Sequence, residues 1–169
     1  SDAQYNLGVM YENGEGVPKD YKEALRLYTL AANQGKVKAQ YNLGVIYYEG
    51  RAVPQDYEEA VRWYTLAAKQ GDAMAQFNLA SMYEDGHGVS QDDREAIKFY
   101  TLSARQGYAT AQSNLGLMHY NGQGVVADPV IAHMWFNIAA ANGAESAGAN
   151  RDIIAKEMTS EDISKAEAM

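Results

Sequence analysis

Ala39-Gln40-Tyr41-Asn42-Leu43-Gly44, the turn Gly50-Arg51-Ala52-Val53-Pro54-Gln55 and the closing run Ala67-Ala68-Lys69-Gln70-Gly71 decide the fold, because the same words return on both sides. Thirty-six residues earlier stands Ala3-Gln4-Tyr5-Asn6-Leu7-Gly8, and thirty-six later Ala75-Gln76-Phe77-Asn78-Leu79-Ala80. A fourth copy begins at Ala111-Gln112-Ser113-Asn114-Leu115-Gly116. The positions of Ala3, Gln4, Asn6, Leu7, Gly14, Val17, Asp20, Ala24, Ala32 and Gly35 hold one residue type in all four copies. Self-similarity at a fixed period of this size marks an array of stacked supersecondary units. The period divides the chain into repeats 1–38, 39–74, 75–110 and 111–146, with 147–169 outside the pattern.

Each repeat reads as two helices around a glycine turn. In the second, Ala39, Leu43, Ile46 and Tyr47 have the spacing of one helical face. Gly50 ends that helix, since glycine tolerates the positive φ of a helix C-terminus, and Pro54 prevents its continuation. Asp56 is the predicted N-cap of the second helix. Its spacing to Glu59, repeated in Asp20/Glu23 and Asp92/Glu95, is that of a reciprocal capping box. The fourth copy uses Asp128-Pro129, with proline in the first helical position. Ala60, Trp63, Tyr64, Ala67 and Ala68 form the apolar side of the second helix, which stops before Gly71. The alanines and Gly8, Gly44 and Gly116 are expected to let neighbouring helix backbones approach closely. One helical pair cannot bury its own apolar face, so each repeat must lean on the next.

Composition narrows the partners. The chain has 169 residues, no cysteine, 14 Lys+Arg against 22 Asp+Glu and a net charge of −8. Disulfides, thiolate metal sites and cysteine nucleophiles are excluded. Negative charge of this size is a poor footprint for nucleic acid. The apolar run Val130 to Ala141 contains His133 and Asn137 and is too short to cross a bilayer. Ser1-Asp2 leads straight into a repeat helix, which raises the expectation of residues upstream. At the other end Ile153, Ile154 and Met158 keep an apolar side, and Thr159-Ser160-Glu161-Asp162 reads as a helix start. Residues 147–169 are therefore expected to be a C-terminal helical cap with a polar outer face.

The pattern A-x-A-Q-x-N-L-G-x-M-Y, G-x-G-V, D-x-x-x-A, W-Y, A-A-x-Q-G resembles the Sel1-like repeat (SLR) family, relatives of the tetratricopeptide repeats. The resemblance covers about residues 1–146, with Ala52, Ala80 and Ser113 as departures. It implies an all-α, right-handed α-solenoid acting as a scaffold or adaptor; from the residues themselves, no catalytic activity and no cofactor are expected. It points toward a periplasmic or secreted bacterial protein, with a cytoplasmic one left open. The cysteine-rich members regarded as hydrolase candidates are excluded by composition.

No constellation argues for chemistry. The pairs Gly14/Gly16, Gly86/Gly88 and Gly122/Gly124 lack the continuation of a phosphate-binding loop and read as turns. His87, His119 and His133 have no metal-ligand spacing. Glu58-Glu59, Glu84-Asp85 and Asp92-Asp93 are adjacent in sequence, so their side chains diverge around a helix.

The informative variation lies on a second stripe of each first helix, at i, i+4 and i+7. It reads Tyr5, Val9, Glu12; Tyr41, Val45, Tyr48; Phe77, Ser81, Glu84; and Ser113, Leu117, Tyr120, with Asn6, Asn42, Asn78 and Asn114 beside it. In solenoids of the resembled kind the first helices line the concave face, where these residues would bind a peptide or partner protein. Tyrosine suits such a surface through its large area and polar tip, and asparagine amides both donate and accept. The competing reading packs the aromatics between adjacent helices and spends each asparagine within the repeat. Residues 111–146 carry only Asp128 and Glu145 as charges, so Leu117, Tyr120 and Trp135 are expected to supply the apolar part of an interface. The alternative function is a structural spacer, or homo-assembly through the ends of the array.

Overall fold

The computed structural model describes residues 2–169 and contains ten helices among them. They are α1 (Asp2–Asn13), α2 (Tyr21–Ala32), α3 (Val37–Glu49), α4 (Tyr57–Lys69), α5 (Ala73–Asp85), α6 (Asp93–Ala104), α7 (Ala109–Asn121), α8 (Pro129–Ala141), α9 (Ala147–Ala155) and α10 (Ser160–Glu167). Two compact units divide the chain. The first runs to Gln91 and holds α1 to α5; the second starts at Asp92 and holds α6 to α10.

Local chemistry sets the helix ends. Asp20, Asp56, Asp92 and Asp128 are extended N-caps whose carboxylates accept from backbone N–H groups of the following turn, as in Lys22 N–H to Asp20 at 2.9 Å and Glu59 N–H to Asp56 at 3.0 Å. Each cap of this kind contributes about 1 kcal/mol. The expected reciprocal half of the capping box is not made. The N–H groups of Asp20, Asp56 and Asp128 instead donate to the carbonyls of Tyr11, Tyr47 and His119, each at 2.9 Å, which ties each turn back onto its own first helix. Glu23, Glu59 and Glu95 are thereby released to pair with Arg26, Arg62 and Lys98 one turn on.

Within the first unit, α3 packs on α4 of its own repeat and on α2 of the preceding one. Its buried face is Ala39, Gln40, Leu43, Gly44 and Ile46. Leu43 is fully buried, whereas its equivalent Leu7 on α1 is 37% exposed. The difference shows that this face is covered by the repeat before it. Gly44 meets the ring of Tyr64: a Cβ placed there would lie 2.4 Å from Cδ1. Gly8 and Gly116 face Tyr28 and Phe136 in the same way. The space left by each missing side chain is thus filled by an aromatic ring of the second helix.

The buried glutamines join successive repeats. Gln40 Nε2 donates to the Ala32 carbonyl at the end of α2 (3.2 Å), while its Oε1 accepts from Gln70 (2.7 Å). Gln76 makes the corresponding bond to Ala68, and in the second unit Gln112 bonds Ala104 at 2.9 Å and accepts from Asn142. Each amide therefore caps the preceding helix pair, and those of Gln40 and Gln112 also lock to their own second helices.

In the second unit α9 packs on α8, with Ala147 fully buried. Arg151, placed where a repeat carries leucine, donates to Asn137 and pairs with Asp152. Thr159 caps α10, which folds onto α8. Ile154 is buried and Met158 half-buried, but Ile153 is 54% exposed, a correction to the expected apolar side. Consecutive helical residues point about 100° apart, so only one of the two isoleucines faces α8.

Three expected outcomes follow from this packing. Gln40→Leu removes the side-chain bonds to Gln70 and to the Ala32 carbonyl, which keeps only the Gly35 N–H, and urea unfolding is expected to show a loss of about 1–3 kcal/mol. Ala52 holds φ at 66°, where the other turns carry Gly16, Gly88 and Gly124; Ala52→Gly is expected to raise stability by about 1 kcal/mol. Burial holds His119 and His133 below the ordinary imidazole value, aided at His133 by the Arg151 charge. The unfolded chain therefore takes up protons that the folded chain refuses once pH drops below about 6.5. Melting temperature should fall as pH is lowered from there, and His133→Leu should flatten part of that slope.

Candidate functional site

The first helices bring most of the predicted stripe into three clefts. In the first unit Tyr41, Val45 and Tyr48 of α3 face Phe77, Asn78 and Ser81 of α5 across a cleft of about 300 Å³, closed by Glu49 and Tyr64. Stripe residues from two consecutive repeats thus share one concavity. The period is the cause: residues 36 apart occupy equivalent places on helices that stack side by side.

Its wall is built from second-helix aromatics. Tyr41 packs on Tyr64 with ring centroids 6.0 Å apart, and Tyr48 on Tyr57 at 5.4 Å; both pairs are tilted. Tyr57 in turn stacks on His87, at 4.6 Å and 8° between planes, so that turn histidine serves packing. Tyr64 is almost wholly buried, and burial raises its hydroxyl pKa, reinforced by Tyr41, Glu49 and Tyr48 nearby. The Asn78 side chain stands beside the Tyr64 hydroxyl and offsets part of that rise.

The first repeat is arranged differently. Tyr5 packs on Tyr28 at 5.7 Å, and the Tyr28 hydroxyl donates to Glu12 at 2.6 Å. The Asn42 side chain stands beside the hydroxyls of Tyr5 and Tyr28 and offsets part of the rise in pKa that burial imposes on both. Val9 is half-buried and Asn6 exposed. Glu12 is thus spent on a tyrosine inside the fold, whereas the second repeat has Tyr48 in its place and leaves the corresponding space open.

In the second unit Ser113, Asn114 and Leu117 line a cleft of about 570 Å³ with Thr110, the Gly143–Ser146 loop and Asn150. Leu117 and Tyr120 also line a small recess of about 80 Å³ with Phe136, Asn150, Ile153 and Ile154. The Tyr120 hydroxyl donates to Glu157 at 2.9 Å, which links α7 to the end of α9 and raises the tyrosine pKa. Trp135 is half-buried and lines none of these three clefts, and Glu84 stands outside them on α5. Glu49 and Tyr64 are the residues that sequence reasoning missed. Tyr64 sits at a helix-packing position, and Glu49 falls one place beyond the stripe, so neither pattern gave a reason to single them out.

Among the described residues no group of three or more His, Asp or Glu side chains is placed to hold a metal ion, and no helix is long and apolar enough to cross a membrane.

No curated protein matches the chain. Among solved structures it is similar to c5321, a protective antigen of uropathogenic Escherichia coli strains displaying an SLR fold, at 40% identity over 86% of this chain and 31% of that one, with a TM-score of 0.85. A Sel1 repeat protein from Oxalobacter formigenes matches at 38% identity, over 86% of this chain and 60% of that one, with a TM-score of 0.80. The chain thus spans about a third and three-fifths of the lengths of these two relatives. Helicobacter pylori cysteine rich protein B shares the fold at 23% identity over 78% of this chain and 94% of that one, with a TM-score of 0.62. The family model for the Sel1 repeat matches residues 1–36, 37–72, 73–108 and 109–143, so that the all-α, helix-turn-helix array is accounted for copy by copy and the chain belongs to the Sel1 repeat family.

Proposed function

We propose that this chain is a protein-binding module that takes a peptide segment of a partner on its first-helix face, anchored in the cleft between α3 and α5. Sel1 repeat proteins are generally protein-interaction scaffolds, and the family is typically non-enzymatic. The observation that carries the finer reading is the common cleft: Tyr41, Val45, Tyr48, Phe77, Asn78 and Ser81 come from two repeats and line one space of side-chain size. Aromatic walls supply contact area with few rotatable bonds to immobilise, which is how a small number of anchors dominate an interface. In the second unit the first helix α7 carries its own wider cleft, around Ser113, Asn114 and the exposed Leu117 side chain.

Affinity capture from bacterial lysate and culture medium tests this reading, with wild type set against a Tyr48→Ala, Phe77→Ala variant whose helicity is checked by circular dichroism. The expected result is a partner held by wild type and lost at least tenfold by the folded variant, as for removal of hot-spot anchors. If both capture the same proteins, or only further copies of the chain, the cleft is idle and the array acts as a spacer or assembles through its ends.

A further inference from the structure

The cleft between α3 and α5 has a chemistry more specific than an apolar groove. Its lining contains three tyrosines, one phenylalanine and a single charged group, the carboxylate of Glu49, with no lysine or arginine. The phenol rings present electron-rich faces, and a cation close to such a face is attracted by the ring quadrupole. Just outside stands Arg51. Its guanidinium pairs with Glu49 and also lies 3.6 Å from Glu12. Two carboxylates therefore share one guanidinium, Glu12 being held as well by the Tyr28 hydroxyl, so the two carboxylates and the guanidinium together carry one net negative charge. The Arg51 side chain is 44% exposed, in water on the rim and not seated among the tyrosines. Exposed pairs of this kind contribute little and exchange readily.

From this geometry we infer that the cleft receives an arginine side chain of the partner peptide, stacked against Tyr41 and Tyr48 with its guanidinium directed at Glu49. The inference rests on the peptide-binding reading above and names the partner chemistry for that site. A planar guanidinium suits it better than an ammonium, because it can lie flat on an aromatic face while forking onto a carboxylate. The volume of the cleft, about 300 Å³, accommodates such a side chain with part of its backbone. The charge balance agrees: the second and third repeats each carry three bases against five acids, counting Arg51, Arg62 and Lys69 against Glu49, Asp56, Glu58, Glu59 and Asp72 in the second. Arg51 acts as an intramolecular competitor that an incoming arginine displaces from Glu49.

The test uses the whole chain and a phage-displayed random dodecapeptide library, with selected peptides synthesised and their Kd measured by fluorescence polarisation. The peptides are expected to share an arginine and to lose about tenfold in affinity on replacing it with citrulline, and about as much against Glu49→Gln, the scale of a charge-assisted hydrogen bond. Arg51→Ala should bind about threefold more tightly, and added salt should weaken binding to wild type. Peptides that are lost with Tyr48→Ala yet ignore both citrulline and Glu49→Gln would overturn the arginine inference while leaving peptide binding intact. Selection of nothing, or of peptides indifferent to Tyr48→Ala in a folded protein, removes the peptide-binding reading and this inference with it.

Discussion

A pair of short helices has more apolar surface than the two can hide from each other, and the rest of the structure follows from how the surplus is covered. On α3 the surplus is Ala39, Leu43 and Ile46, buried against α2, and the same positions on α1 remain open. Burying that face also buries Gln40, a polar side chain that would be costly without partners. Its amide is satisfied at both ends, by the last carbonyls of α2 and by Gln70. Apolar burial drives the stacking and the amide fixes its register, since only one offset brings Gln40 to Ala32. The recurrence of these bonds at Gln76 and Gln112 explains why the glutamine never varies among the copies.

Stacking in fixed register has a consequence on the opposite side of the first helices. Equivalent side chains are brought beside one another, so what one repeat contributes is completed by the next. Where Glu12 engages Tyr28, the space is filled from within. Where Tyr48 replaces the glutamate, Tyr64 forms a wall instead, and a cleft opens between α3 and α5. The same position in the repeated frame thus carries a structural contact in one copy and part of a cleft lining in the next. A scaffold can acquire specificity in this way without disturbing the residues that hold the array together.

The C-terminal segment shows the same economy. α9 takes the place that the first helix of another repeat would take against α8, but Arg151 replaces leucine and turns the next face to water. α10 then lies on α8 and covers His133, which is only 2% exposed. The Tyr120–Glu157 hydrogen bond connects this segment to the helix face that carries Leu117.

The period, the helix pairs, the glycine ends and the aspartate caps were all legible in the amino-acid sequence, because each depends on residues within one turn or on spacing along one helix. The stripe was legible as well, since helical periodicity alone places Tyr41, Val45 and Tyr48 on one side. Which of those residues meet, and across what, was decided only by tertiary structure. Glu23 and Glu59 turned outward because the Tyr11 and Tyr47 carbonyls claimed the N–H groups they were expected to take, and Gly8, Gly44 and Gly116 faced rings. Glu49 and Tyr64 joined the cleft because α4 packs on both α3 and α5, an arrangement that no spacing along a single helix contains. Local rules set the elements; the contacts that give the cleft its charge and shape arise between residues distant in the chain.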